Sequence, residues 1–278
     1  SSAFFNLPDE EKRKIPVKNG GFTRGYIGFG QESGSSSMLE CKEAFSYGFD
    51  WLESQEPENL LQGPNIWPAK ELLDQEWRQN MLDVYSTMVQ LSAALTVSLA
   101  RVAGVSSRSM EKLCQGGDTI SLMRTFHYLP YEEEPGVQKL GSSPHTDWGW
   151  LTIILQDDAG GLEYQDRETK EWLKCDPRED CLVVNIGDYL SMFSKGRLHS
   201  PVHRVVHNPS QERISYVFFA YPAYGAQMLA ETEAEGTTGR AEEADTHNTL
   251  MDMARGGMDL TQITFGEYIY KKWEGVSR

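Results

Sequence analysis

The sequence predicts a mainly β protein with flanking helices: a jelly roll braced by one long helix in the N-terminal half. Three observations carry that expectation. From Thr119 onward, short apolar runs rich in β-branched and aromatic residues alternate with Gly, Pro and Asp. Seven or eight such runs at this spacing fit a sandwich or jelly roll. Ahead of them, Trp77, Met81, Val84, Met88, Leu91, Leu95, Leu99 and Val102 recur every three or four residues, the stripe of one long amphipathic helix. The length, 278 residues, is within reach of one β-rich domain and ample for a core. One catalytic domain is expected over 1–278, with mainly helical support in 1–118, the jelly-roll core in 119–222, and a polar loop plus C-terminal helix in 223–278.

In chain order, Pro8 followed by Asp9, Glu10 and Glu11 predicts a short helix, because Pro suits a first turn and acids suit its positive end. Gly20–Gly30 carries too many glycines for a helix or long strand and reads as loop or short bent strand. It lacks GxGxxG followed by a helix, which excludes a dinucleotide site. Residues 31–38 are Ser/Gly-rich and read as mobile; 53–68, with Pro57, Gly63, Pro64 and Pro68, read as a connecting loop. Gly104 terminates the long helix, and a short helix follows near 107–115. Strands are expected near 120–128, 148–155, 161–164, 171–174, 181–186, 189–194, 202–207 and 213–221. Asn185–Tyr189 reads as a tight hairpin turn with Gly187-Asp188 at its corner, and Gly160-Gly161 as a turn or bulge. The polar stretch 223–258 reads as loop with one short helix, and Ile263–Trp273 as a terminal helix capped by Thr264.

Composition narrows the function classes. Twenty-six basic residues against 41 acidic ones leave a net charge of -15, which repels nucleic-acid phosphates and anionic lipid. No apolar stretch approaches a membrane span, and no signal peptide opens the chain. Cys41, Cys114, Cys175 and Cys181 form no CxxC and no zinc spacing, as expected of free thiols in a reducing cytoplasm. A monomer acting on a small molecule is the expected form.

The chemistry lies in four short motifs. His145 and Asp147 are two apart at the mouth of an apolar run; on a strand they project from one face, an imidazole beside a carboxylate. His199, His203 and His207 lie four apart in a β-branched run, where strand parity puts all three on one face. His203, mid-run and directly before Arg204, is the best third ligand; His199 and His207 suit the surface or a supporting place. Two His and a carboxylate on one face of a metal form the facial triad of non-haem Fe(II) oxygenases. Further on, Arg213 and Ser215 share a strand face with Val217, Phe219 and Tyr221. An Arg opening a buried strand is costly unless paired. It either meets a surface acid or grips a ligand carboxylate, with the Ser hydroxyl beside it.

HxD, then SxxHRV, then RxS about ten residues on, with NxGD between, resembles the isopenicillin N synthase-like branch of Fe(II)/2-oxoglutarate-dependent dioxygenases. The resemblance runs from about Thr119 to Pro222, supported by Leu7–Lys12 and by Thr264–Tyr268. It implies a distorted double-stranded β-helix. It implies iron on His145, Asp147 and His203, the distal carboxylate of 2-oxoglutarate on Arg213 and Ser215, and Tyr128 touching the cosubstrate. Phe219 and Tyr221 match substrate-facing positions, with plain core packing as the equal alternative. Relatives carry a block of several dozen residues, with a strand and a helix, before the Leu-Pro-Asp-Glu-Glu-Lys segment. That block is absent here, and part of the pocket and sheet edge is expected to go with it.

The activity so implied consumes dioxygen and 2-oxoglutarate, gives succinate and carbon dioxide, and hydroxylates, desaturates or cyclises a small organic molecule of secondary metabolism, with ascorbate as an accessory reductant. Two rivals stay open. An iron oxidase of the same branch that does without 2-oxoglutarate retains RxS, so the motif does not separate the two. A non-catalytic jelly-roll binding protein would have no use for an intact metal triad.

Overall fold

The computed structural model describes residues 2–17, 24–33, 38–52, 54–227 and 263–276. Two facing antiparallel sheets form its centre. Their strands are β1 (Gly25–Ile27), β2 (Met38–Glu40), β3 (Lys42–Gly48), β4 (Leu122–Tyr128), β5 (Gln138–Leu140), β6 (Ser142–His145), β7 (Leu151–Gln156), β8 (Leu162–Gln165), β9 (Trp172–Lys174), β10 (Val183–Ile186), β11 (His203–Val205) and β12 (Arg213–Ala220). One sheet runs β1-β3-β4-β12-β7-β10, the other β6-β11-β8-β9; β2 and β5 pair in parallel beside them. This is the expected jelly roll. Helices α1 (Ser2–Phe5) and α2 (Asp9–Lys12) precede the sheets; α3 (Gln75–Ala103), α4 (Ser107–Cys114), α5 (Asp188–Phe193) and α6 (Phe265–Val276) follow in turn. Among the described residues, no helix is long and apolar enough to cross a membrane.

Strand alternation divides the molecule into two apolar layers. Phe126, Tyr128, Ile154, Leu162, Val205 and Val217 point between the sheets. Their neighbours Met123, Ile153 and Phe218 point the other way, into the larger core with Met81, Tyr85 and Met88 of α3. Such two-sided cover explains why all seven residues of β4 are buried. The long helix has the predicted ends: Asp74 accepts the Trp77 amide at 2.8 Å, and Gly104 adopts a left-handed φ of 78°. Its stripe is narrower than expected. Val84 and Val102 are 37% and 49% exposed, because the helix turns those flanks away from the sheet. Tyr85 is buried in their place, with its hydroxyl donating to the Ser121 and Asp118 carbonyls.

Three differences from the expectation have physical causes. The first 118 residues contribute strands as well as helices: β3 lies second from the edge of the main sheet, bonded to β1 and β4. It is missed because its seven residues are all buried and so show no alternation. Residues 189–194, expected as a strand, form helix α5, and Asn185–Tyr189 is a strand-to-helix junction, not a hairpin. There the amides of Gly187, Asp188 and Tyr189 donate to the carbonyls of Trp150, Asp147 and Gly149. With three successive donors committed to the β6–β7 loop, the chain cannot fold back on itself. It starts a helix that buries Tyr189, Leu190 and Phe193. Lastly, β7 begins at Leu151, leaving Trp148–Trp150 as loop.

The terminal helix begins one residue inside its capping box. Thr264 Oγ1 accepts the Glu267 amide while Glu267 Oε2 accepts the Thr264 amide. Gly160 and Gly161 have φ of 71° and 89°, the predicted turn between β7 and β8. The expected mobile run 31–38 falls partly, and the polar loop of 223–258 mostly, outside the described residues.

Candidate metal centre

The two candidate histidines meet through sheet register. His145 ends β6, His203 opens β11, and they are directly opposed in the antiparallel pair, with ring centroids 4.3 Å apart. Asp147 is not on the same strand as His145, as expected from the sequence, but two residues past its end. The loop after β6 carries its carboxylate back toward both rings. His145 Nε2 lies 3.9 Å from Asp147 Oδ1, and His203 Nε2 lies 3.8 Å from Oδ2. One donor atom from each residue falls within 4.8 Å of the others.

Each ring is oriented by the backbone two residues before it. His145 Nδ1 donates to the Ser143 carbonyl at 2.7 Å and His203 Nδ1 to the Pro201 carbonyl at 3.2 Å. A carbonyl only accepts, so each ring carries a proton on Nδ1 and turns Nε2 toward Asp147. Burial, then the neighbouring His203, push the His145 ring well below its ordinary pKa, which keeps it neutral. Two imidazoles with Nδ1 committed to carbonyls and a carboxylate form a donor set that fits a divalent transition ion.

The Asn185–Asp188 junction supports the third donor. Asn185 Nδ2 donates to Asp147 Oδ2 at 3.3 Å, and the Asp188 amide donates to the Asp147 carbonyl at 2.7 Å. Asp188 Oδ2 accepts from the Thr146 hydroxyl and from Lys272 of α6. Gly187 is packed so closely that a Cβ would stand 2.1 Å from the Gly149 carbonyl oxygen. NxGD is therefore the bed on which the metal loop rests.

The triad opens on a cavity of about 510 Å³ between the sheets. Arg213 lines it and is 1% exposed. It lies opposite Tyr128 in register, its guanidinium 4.5 Å from that ring, so the expected choice between surface acid and ligand resolves toward the interior. Nε donates to the Gly160 carbonyl at 2.6 Å and Nη2 to Gln156 at 3.2 Å, whereas Nη1 is buried with no partner among the described residues. A buried cation with a spare donor and no carboxylate beside it fits an anionic group held in the cavity. Ser215, 1% exposed, lines the same end and donates to the Tyr128 hydroxyl at 3.4 Å. His207 lies behind them, 3% exposed and bonded to the Leu129 carbonyl. Burial holds its ring below the ordinary pKa, with Arg213 adding to the effect. His199 lines a separate cavity of about 350 Å³. Strand parity does not unite the three, since β11 spans only His203–Val205.

Phe219 and Tyr221 both face the main cavity. Sequence reasoning missed four charged residues there: Glu32, Glu40, Lys42 and Arg124. Arg124 shares strand parity with Tyr128, the one signal that pointed inward. The other three depend on register and on a loop.

Residues 119–222 match the sequence profile of the 2OG-Fe(II) oxygenase superfamily, and residues 1–70 that of "non-haem dioxygenase in morphine synthesis N-terminal". Clavatol oxidase claD from Penicillium crustosum is 35% identical over 235 residues, covering 79% of this chain and 69% of the relative. The 2-oxoglutarate-dependent dioxygenase citB from Monascus ruber is 35% identical over 228 residues, covering 79% and 68%. A Caulobacter crescentus protein assigned to the 2OG-Fe(II) oxygenase family superposes with TM-score 0.76 at 25% identity, covering 99% of this chain and 83% of that one. A full-length Neurospora crassa protein in complex with alpha-KG and thymine gives TM-score 0.77 at 22% identity over 99% and 80%, a likeness of fold.

Proposed function

We propose, from the premise that this chain belongs to the 2OG-Fe(II) oxygenase superfamily and is a 2-oxoglutarate-dependent dioxygenase, that His145, Asp147 and His203 hold its iron, and that Arg213 and Ser215 seat the distal carboxylate of 2-oxoglutarate beside Tyr128. The observation that carries this reading is one cavity with a three-donor cluster and a buried guanidinium still short of a partner. When bound, iron and 2-oxoglutarate together supply dioxygen activation, with decarboxylation to succinate coupled to oxidation of a substrate.

The chain's own residues do the positioning. The Ser143 and Pro201 carbonyls fix the two imidazole tautomers. Asn185 holds Asp147 in place. The sheets bury Arg213 and Ser215, and the low local dielectric strengthens a charge-assisted contact there. A cavity of about 510 Å³ lies within the range for small-molecule sites and supports a small organic substrate. In this reading the protein works as a monomer, and its four thiols are free.

Anaerobic reconstitution tests the assignment. Stoichiometric Fe(II) should bind, and oxygen should then convert 2-oxoglutarate to succinate only in the iron-loaded protein. No stoichiometric iron would favour a binding module, and oxygen uptake indifferent to 2-oxoglutarate would favour the oxidase.

A further inference from the structure

One wall of the cavity carries a connected set of ion pairs. Arg124 Nη1 lies 2.8 Å from Glu32 Oε1; Lys42 Nζ lies 3.4 Å from Glu32 Oε2 and 2.7 Å from Glu40 Oε2. Glu40 also accepts the Ser143 amide at 2.7 Å, which ties the set to the residue whose carbonyl orients His145. Lys42 and Glu40 are 7% and 6% exposed and Arg124 6%, so both cations and Glu40 are interior, while the side chain of Glu32, which bridges the cations, keeps 24% exposure. Burial by itself would raise the Glu32 carboxyl, but Lys42 and Arg124 hold it below its ordinary pKa. Among the described residues, two cations therefore face two carboxylates.

Among the described residues that line the cavity, the remaining charges balance as well. On the proposed reading, ferrous iron and Arg213 match Asp147 and the 2-oxoglutarate dianion. A charged substrate would have to break an interior pair to find a partner, and breaking such a pair strands a charge. Next to the network the wall is aromatic. Trp148 and Trp273 meet edge-to-face at 5.2 Å, Arg124 covers Trp273 at 5.6 Å, and Phe219 and Tyr221 complete the surface. Rings of this kind favour flat partners.

We infer that the substrate is an uncharged, planar molecule, aromatic or heteroaromatic, with polar substituents, and that Glu32 determines this selectivity by neutralising Arg124. This inference rests on the proposed iron and 2-oxoglutarate site, and the test separates the two. Protein loaded with Fe(II) and 2-oxoglutarate without oxygen should first show the iron–2-oxoglutarate charge-transfer band; absence of the band removes both readings. With the band present, 4-methylbenzamide and 4-methylbenzoate, alike in shape and different in charge, are titrated against its shift and against tryptophan fluorescence. The amide should bind about tenfold or more tighter than the carboxylate. Glu32→Gln keeps the shape and removes the charge, and its own band certifies its fold; the preference should move toward 4-methylbenzoate by about tenfold. The inference falls, with the site reading intact, if the wild type binds the carboxylate as well as the amide or binds neither. It falls equally if Glu32→Gln leaves the ratio unchanged.

Discussion

Replacing Arg213 with Met should separate stability from cosubstrate binding. Arg213 is 1% exposed and has hydrogen bonds to Gly160 and Gln156 but no carboxylate partner. Arg213→Met orphans the Gly160 carbonyl, at about 1–3 kcal/mol. It also removes an uncompensated interior charge, whose desolvation cost of several kcal/mol per ion is recovered in part. The two effects nearly cancel, so the unliganded variant should melt close to the wild type. Cosubstrate binding responds differently. At a hundred times its dissociation constant, 2-oxoglutarate should stabilise the wild type by about 2.7 kcal/mol. At about 2–4 °C per kcal/mol, that is a rise of roughly 5–11 °C. Losing one side of a buried charge pair costs about 2–5 kcal/mol, or at least a thirtyfold weaker affinity. The rise at the same concentration should then drop to about 3 °C or less. Thermal melts with saturating Mn(II) and titrated 2-oxoglutarate measure both quantities, and the shift from Mn(II) alone should survive in the variant. A variant that keeps the full 2-oxoglutarate shift would refute the reasoning, as would a wild type that shows none.

Other perturbations probe the metal bed and the fold. His203→Ala should weaken metal binding by about a hundredfold or more, while His199→Ala should change it far less; equal losses by metal titration would mean the wrong histidine has been assigned. Gly187→Ala would place a Cβ 2.1 Å from the Gly149 carbonyl oxygen, whereas Gly225→Ala meets nothing within 4 Å. The first should cost about 1–3 kcal/mol or more and weaken metal binding, the second almost nothing, and similar melting points for the two would contradict the packing argument. His127 lies between Glu43 at 2.9 Å and Glu212 at 3.3 Å. Burial alone would lower its pKa, but those two carboxylates raise it above 6.5. Its contribution is therefore complete below about pH 6.5 and fades as pH rises through the elevated folded value. The gap in melting temperature between wild type and His127→Gln should be wider at pH 6 than at pH 9, and the opposite trend would contradict this.

The parts of the site that are legible from sequence are those that local pattern controls. HxD, NxGD and RxS each occupy a few residues, and strand parity alone puts Arg213, Ser215, Phe219 and Tyr221 on one face. What joins them is not local. His145 meets His203 because β6 pairs with β11 across 57 intervening residues, and a one-residue slip would turn one ring away. Asn185–Asp188 reads as a turn because Gly-Asp usually makes one; only its contacts with Asp147, Gly149 and Trp150 make it a support. The wall of Glu32, Glu40, Lys42 and Arg124 is the hardest part to see. Charged residues on short strands ordinarily face water, and nothing within a few positions of Lys42 marks it as interior. Its side chain faces inward because β3 pairs with β4 in the register that sets Lys42 opposite Tyr128, the residue that Arg213 also faces. Strand β4 thus lies between Lys42 and Arg213. On the proposed reading the spare Arg213 donor takes the dianion, whereas Lys42 and Arg124 already pair with Glu32 and Glu40. That asymmetry gives the cavity a direction, because cosubstrate and substrate exchanged end for end would leave Arg213 without its anion and force a charge against Glu32 or Glu40.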